Sequence, residues 1–200
     1  MEKLKKMAKN LDTVAKIILY INIGAAAIIF FVWIMMLGEI LMDQNALREY
    51  LVLNFGSVKV GIAPEYAPSL QYTNARFFME TLLAVALISF VIYAIKVARR
   101  ILAPMKEGLP FDESVSKNLK KLGLLTLIGG SVWSVTKAVL DTTTYNAYEI
   151  SEMFRSERIT GVELEVTLDT QFLIIAAVIF LLSYIFKYGA ELQKLSDETL

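Results

Sequence analysis

The sequence predicts an all-α membrane protein, a bundle of four transmembrane helices with a small β-containing cap formed by its two outer loops. Hydrophobic residues make up 56% of the 200-residue chain and charged residues 20%, whereas soluble domains carry about 25% charged residues. One soluble core of this size could not bury so much apolar surface. The apolar residues are concentrated in four stretches, at about 17–38, 77–97, 122–140 and 172–188. We therefore predict a single membrane domain over residues 1–200.

Each apolar stretch is close to the roughly 20 residues that a helix needs to cross the hydrocarbon. The first, from Ile17 to Gly38, contains no charged residue. Its basic start resembles a signal peptide, but the apolar run exceeds the roughly 7–15 residues of a cleaved one. We therefore interpret it as a signal anchor. Residues 1–16 have apolar residues at helical spacing, and either lie along the membrane surface or extend the first span.

The distribution of Lys and Arg predicts the orientation of the spans. Segments 1–16 and 96–121, together with the C-terminal tail, hold 14 basic residues, whereas the two loops on the opposite side hold five. Basic residues accumulate in cytoplasmic loops. We therefore expect a multi-pass protein of the plasma membrane with both termini in the cytoplasm.

The two outer loops, 43–76 and 141–171, contain patterns typical of secondary structure. Residues 50–55 and 58–62 are rich in strand formers and flank Gly56-Ser57, which favours a hairpin. In the second loop, Val162 to Leu168 alternates apolar and polar residues, as in a half-buried strand. Residues 145–158 look helical. We expect the two loops to meet in a small β-structure.

The cytoplasmic elbow, residues 98–121, has the most distinctive sequence. Pro104 is expected to end the second helix, and Gly108 with Pro110 predicts a turn. Asp112 can then cap a new helix that leads into the third span. A structural turn explains this spacing, and a docking surface for a cytosolic partner is the functional alternative.

The elbow and the C-terminal tail together resemble a known family. The elbow reads Gly-Leu-Pro-Phe-Asp from Gly108 and Asn-Leu-Lys-Lys-Leu-Gly from Asn118, and the tail closes on Leu-Gln-x-x-x-Asp-x-Thr-Leu from Leu192. In both segments, and in the order of its spans, the chain resembles a bacterial family of four-span membrane proteins of unknown function, DUF2975. Members often end Leu-Gln-Glu-Glu-Asn-Asp-Leu-Thr-Ile, so this tail keeps the Leu-Gln, Asp and Thr positions and departs between them.

The resemblance implies a candidate partner but no chemistry. Such proteins are commonly encoded beside a small helix-turn-helix regulator, and the family supplies no established catalytic residues. We therefore treat conspicuous residues of the elbow and the tail as candidates for partner docking; the tail could equally be a solvated end that packs on the elbow. These candidates are Pro110, Phe111, Asp112, Asn118, Leu192, Gln193 and Asp197.

Ionisable residues near the outer ends of the spans form a second set of candidates. Glu39 ends the first span, Glu80 begins the second, and Lys137 and Asp141 lie near the end of the third. Charges at membrane depth are costly unless they are paired. Glu80 and Lys137 could face each other, either as an interhelical tie or as part of a polar pocket.

Composition restricts the function classes. The chain has no Cys and no His, which excludes disulfides, thiolate nucleophiles and zinc sites made from those ligands. We expect no enzyme, no catalytic residues, no metal and no cofactor, and zero net charge predicts no direct contact with nucleic acid. The favoured hypothesis is a binding or regulatory protein of the lipid bilayer, with a cytosolic or membrane partner. The alternative is a small transporter or channel subunit acting as a homo-oligomer.

Overall fold

The computed structural model describes residues 2–42, 52–55, 58–63, 66, 68–155 and 160–198. Four long helices account for most of them: α1 (Glu2–Met42), α2 (Leu70–Glu107), α3 (Glu113–Ala147) and α5 (Gln171–Glu198). A hairpin of β1 (Val52–Phe55) and β2 (Val58–Gly61) follows α1, and a single turn, α4 (Ile150–Met153), follows α3. All four long helices are long and apolar enough to cross a membrane. The predicted four-span architecture is confirmed.

The N-terminal segment belongs to the first long helix. Helix α1 runs without interruption for 41 residues, which corresponds to about 60 Å at 1.5 Å per residue. Because the hydrocarbon is about 30 Å thick, residues 2–16 continue the helix of the first span beyond it, which corresponds to the second of the two alternatives considered for this segment.

Helix α2 does not end at Pro104, as the sequence suggested. It continues through this proline to Glu107 and stops at Gly108, whose φ of +90° is left-handed. Proline removes one N–H donor to the preceding turn, but the helix ends within one further turn, so little regular structure depends on that bond. Glycine then adopts the left-handed conformation that commonly terminates a helix.

The cap predicted for the third long helix is present. The backbone N–H of Ser114 donates to Oδ1 of Asp112 at 2.8 Å, directly before the first residue of α3. Hydrogen bonding by the Ser114 side chain, together with this backbone bond, lowers the pKa of Asp112, since both favour the ionised carboxylate. At its other end α3 stops at Ala147, and Glu149 has a left-handed φ of 48° before α4 begins. Of the predicted helix 145–158, residues 145–147 and 150–153 are helical, and residues 156–158 lie outside the described residues.

The hairpin is present and the predicted second-loop strand is absent. Strands β1 and β2 pair antiparallel, with Val52 opposite Gly61 and Phe55 opposite Val58. Tyr50, Gly56-Ser57 and Pro64 lie outside the described residues. Residues 162–168 form no strand, since they pair with neither edge of the two-stranded hairpin. Within the described residues, the β-structure of the cap comes from the first loop.

The chain divides into two compact units. The first unit comprises Met1–Ala25, Leu87–Val135 and Leu168–Leu200, and the second comprises Ala26–Ala86 and Thr136–Thr167. Each long helix except α5 contributes to both units, and α5 belongs to the first.

The first unit is packed around an apolar cluster and close contacts between Phe and Gly. Its buried cluster contains Ile101, Val115 and Leu119, from α2 and α3. A Cβ on Gly123 would lie 2.9 Å from the ring of Phe180, and one on Gly130 would collide with Phe172. Glycine at position 130 therefore leaves room for the Phe172 side chain. Gly24 of α1, by contrast, faces open space.

The second unit contains a smaller cluster in which the two outer loops meet. Tyr148 and Ile150 are buried, with Ile62 from the first loop and Val162 from the second packed against them. The Tyr145 hydroxyl donates a hydrogen bond to the backbone carbonyl of Val162. The loops therefore meet as predicted, through side chains rather than through a shared sheet.

Candidate functional site

The elbow turn and the last helix join in what we call the elbow–tail surface, residues 108–118 and 186–198. The ring of Phe111 lies 5.8 Å from the ring of Phe186, centroid to centroid. It also covers Gly189, where a Cβ would lie 2.5 Å from Cδ1 of Phe111. Glycine at position 189 therefore allows the aromatic ring of the elbow to sit directly on the backbone of α5.

Four of the seven predicted docking residues line one groove of this surface. The groove has a volume of about 430 Å³. It is bordered on the elbow side by Leu109, Phe111 and Asp112 and on the α5 side by Ala190, Gln193, Lys194, Asp197 and Glu198. The tail thus packs on the elbow and still leaves an accessible groove along the same contact.

Of the other three predicted docking residues, two lie around this groove. Asn118 borders a second groove of about 400 Å³ together with Leu109 and Asp112, and its amide donates to the carbonyl of Ser114 at 2.8 Å. Pro110 is partly buried within the turn, between Leu109 and Phe111. Leu192 is 50% exposed on α5 and lines neither groove. The structure therefore brings six of the seven candidates together and leaves Leu192 apart.

A buried hydrogen bond fixes α3 and α5 beneath the elbow–tail surface. The hydroxyl of Ser183 donates to the carbonyl of Ser116 at 2.8 Å, and both residues are buried. Beside it, the apolar cluster of Ile101, Val115 and Leu119 receives the side chain of Phe186. The surface therefore rests on a packed and hydrogen-bonded base.

A second conspicuous site, which the sequence reasoning missed, is centred on Asp12. This carboxylate is only 4% exposed. Its Oδ1 accepts a hydrogen bond from Nε of Arg99 at 2.8 Å, and its Oδ2 accepts one from Nζ of Lys106 at 2.9 Å. Lys16 adds a longer ion pair at 3.6 Å. One acidic residue thus ties α1 to the C-terminal part of α2.

The cations around Asp12 hold it ionised. The hydrogen bonds from Arg99 and Lys106 lower the pKa of Asp12 from 3.8 to about 2, and this effect exceeds the opposing effect of burial. The sequence carried one signal for the site. Asp12 is the only acidic residue between Glu2 and Glu39, and a single acid among basic residues predicts an ion pair without identifying the partner.

The candidate residues of the second unit form no ion pair with one another among the described residues. Glu80 pairs with Arg76, one turn earlier on α2, at 2.7 Å. Glu39, Lys137 and Asp141 are exposed, and Lys137 makes no ion pair with any described residue. The facing of Glu80 and Lys137 stays a prediction, and the partner that Glu80 has in the structure is a guanidinium four residues away on the same helix.

Comparison with known proteins assigns the chain to a family without adding a function. No curated protein and no solved structure matches it. The model of a family described as "Protein of unknown function (DUF2975)" matches residues 61–200. This match includes the whole elbow–tail surface and the two cations of α2 that bond Asp12, Arg99 and Lys106. It begins after α1, so it is shorter than the whole-chain resemblance expected from the sequence. With well over half of its length matched, the chain belongs to the DUF2975 family.

Proposed function

We propose that this protein is a binding or regulatory membrane protein whose elbow–tail surface docks a cytosolic protein partner. One observation carries the proposal: Phe111, Asp112, Gln193 and Asp197, separated by up to 86 positions in sequence, line the same groove. These are also residues of the two segments that are most characteristic of the sequence.

The groove offers the chemistry of a protein-binding surface. Leu109 is 47% exposed and Phe111 41% exposed, and acidic Asp112, Asp197 and Glu198 surround them, with one basic residue, Lys194. Apolar contacts bordered by charged groups are typical of transient protein interfaces. A partner with an apolar side chain flanked by basic residues would fit this arrangement.

The proposed orientation places the same surface in the cytoplasm of a cell whose plasma membrane holds the protein. Segments 1–16 and 96–121, together with the tail, carry 14 Lys and Arg, against five in the outer loops. This bias supports a cytoplasmic location for both termini. The helix-turn-helix regulator implied by the family resemblance would meet the protein on that side.

A binding role also agrees better than catalysis with the chemistry available. Without His or Cys, proton transfer near neutral pH would need a carboxylate, Lys or Tyr with a strongly shifted pKa. The lowered pKa values of Asp12 and Asp112 move both carboxyls away from neutrality. We therefore propose that the elbow–tail surface binds and does not catalyse.

Site-specific photocrosslinking in native membranes tests the docking proposal. A photoreactive residue at Gln193 should give an adduct of defined mass, and one at the exposed Lys9 of α1 should not. The captured protein, once identified and purified, should bind the full-length chain directly. Absence of a specific adduct at Gln193, or the same adduct at Lys9, would contradict docking at this surface.

Two glycine variants provide a matched control for the groove itself. Gly189→Val should displace the Phe111 ring and weaken binding of the purified partner about tenfold. Gly24→Val changes the same residue type in α1, where the added side chain meets open space, and should leave the affinity unchanged. Equal affinities for both variants would show that the partner does not use the groove built on Phe111.

A further inference from the structure

A basic cavity lies beside the docking groove, between the first turns of α3 and the last turns of α5. Its volume is about 620 Å³, within the range of small-ligand sites. It is lined by four lysines, two glutamates, two serines, Phe111 and Ala190. The charged residues and serines are Lys117, Lys120, Lys187, Lys194, Glu113, Glu191, Ser116 and Ser183. The lining charge is therefore positive.

The lysines are available for an incoming anion. Lys117 and Lys187 pair with Glu113 and Glu191 one turn away, at 2.9 and 3.6 Å, and the lysine side chains of these pairs are 70% and 64% exposed. Exposed ion pairs of this type contribute little to the free energy of folding, so an anion can replace the glutamates as partner of the lysines with little loss of stability. Lys120 makes no ion pair with any described residue. Lys194 reaches Glu198 only at 3.8 Å.

The serines do not supply donors to such a ligand. The Ser183 hydroxyl donates to the carbonyl of Ser116, and the Ser116 hydroxyl donates to the carbonyl of Glu113 at 3.2 Å. Both hydroxyl protons are thus committed within the protein. Recognition would rest on the ammonium groups, which bind phosphate as point charges.

The position of the lysines favours a ligand held at the membrane surface. Lys117 and Lys120 precede the third apolar stretch by a few residues, and Lys187 lies at the end of the fourth. Basic pockets between transmembrane helices at this level bind phospholipid headgroups. Lysine stems can cover apolar surface while their ammonium groups reach the headgroup layer.

We infer that the cavity between α3 and α5 is a binding site for a phosphate-bearing anion, with an anionic phospholipid headgroup as the source that its position favours. This site lies beyond the proposed partner docking. Its distinctive lysines, Lys117, Lys120 and Lys187, do not line the docking groove, so the two proposals can fail separately.

Lipid retention by the purified full-length protein tests the inference. Native mass spectrometry from detergent micelles would compare binding of phosphatidylglycerol and of phosphatidylcholine, with inorganic phosphate as a separate arm. Lys117→Gln/Lys120→Gln/Lys187→Gln should lower the affinity for phosphatidylglycerol at least tenfold, since each lysine near an anionic surface contributes about fivefold. Lys3→Gln/Lys6→Gln/Lys9→Gln removes the same charge from exposed positions of α1 and should change it less than twofold.

The outcomes separate the inference from its alternatives. Binding restored by Lys117→Arg/Lys120→Arg/Lys187→Arg would support a site that recognises charge and exclude misfolding of the Gln variant. Lysine-dependent binding of phosphatidylglycerol identifies a lipid as the source, and lysine-dependent binding of inorganic phosphate alone identifies a soluble anion. Equal loss in the cavity and α1 variants, or no loss in either, overturns the inference.

Discussion

The two units of the molecule differ in how their polar groups are tied. In the first unit, polar bonds join residues distant in sequence: Asp12 binds Arg99 and Lys106, and Ser183 binds Ser116. In the second unit, the ion pair formed by the described residues is Arg76–Glu80, within one helix, and the longer-range bond is that of the partly buried Tyr145 hydroxyl to the carbonyl of Val162. Ties between helices fix a tertiary arrangement, whereas a pair four residues apart supports only its own helix. The first unit therefore has the more strongly specified surface.

The same difference separates the two sets of candidate residues. The docking candidates all lie in the first unit, over the buried Ser183–Ser116 bond and its apolar cluster. The charged candidates Glu39, Lys137 and Asp141 lie in the second unit, and each is exposed. Preorganised groups bind with a smaller entropic cost than mobile ones. For this reason our functional proposal is based on the elbow–tail surface and not on the charged candidates of the second unit.

The largest expected difference in stability is between a variant that loses the ion pairs of Asp12 with Arg99 and Lys106 and one that loses the Glu80–Arg76 pair. Asp12→Asn should lower the free energy of unfolding by about 2–3 kcal/mol, because it leaves two cations facing a neutral buried group. The cost stays below that of a fully buried pair because Arg99 and Lys106 are 32% and 29% exposed. Glu80→Gln, whose carboxylate is 46% exposed, should cost about 0.5 kcal/mol or less.

Both variants can be measured by titration with sodium dodecyl sulfate from mild detergent micelles, with helix content as the readout. The free energy of unfolding of the double variant should fall by the sum of the two single decreases, since no described contact joins the two pairs. Equal losses for Asp12→Asn and Glu80→Gln would remove the distinction between the two units.

The ion pairs of Asp12 should also make the stability of the folded protein depend on pH in a defined way. The pKa of the Asp12 carboxyl is about 2 in the folded protein, below its ordinary value of 3.8, so folding favours the ionised form. That stabilisation is complete above the unfolded pKa and is lost as pH falls from about 4 toward 2. Thermal unfolding of wild type and Asp12→Asn should therefore differ most near neutral pH and converge at pH 2. A difference that stays constant to pH 2 would mean that the carboxylate charge is not what the variant removes.

Sequence reasoning succeeded where the signal is periodic and local. The four spans, the cap at Asp112 and the hairpin of β1 and β2 follow from apolar length, one capping residue and two runs of strand formers. Each is decided by residues within a few positions of one another.

Sequence reasoning failed where an outcome depends on a distant partner. The alternation at Val162 to Leu168 is a genuine strand pattern, but a strand also needs an available edge. Asp12 could be recognised as unusual, yet Arg99 and Lys106 lie 87 and 94 residues away. For Glu80, the sequence suggested Lys137 across the bundle as a partner and did not single out Arg76, one turn away. Packing of the tail on the elbow was one of two alternatives, and the contact of Phe111 with Gly189 shows it.

The smallest expected contrast is between two hydroxyls that each donate to a backbone carbonyl. Ser183→Ala removes a buried bond to Ser116 in the first unit and should cost about 1 kcal/mol. Tyr145→Phe removes the bond to Val162 in the second unit and should cost about half as much, because a partly buried carbonyl can be satisfied by water. Ser131→Ala, at an exposed position of α3, is the control and should change stability by less than about 0.5 kcal/mol. If Tyr145→Phe proves more costly than Ser183→Ala, the loop contact in the second unit is itself a stabilising tie, and the two units differ in where their ties lie rather than in how strong they are.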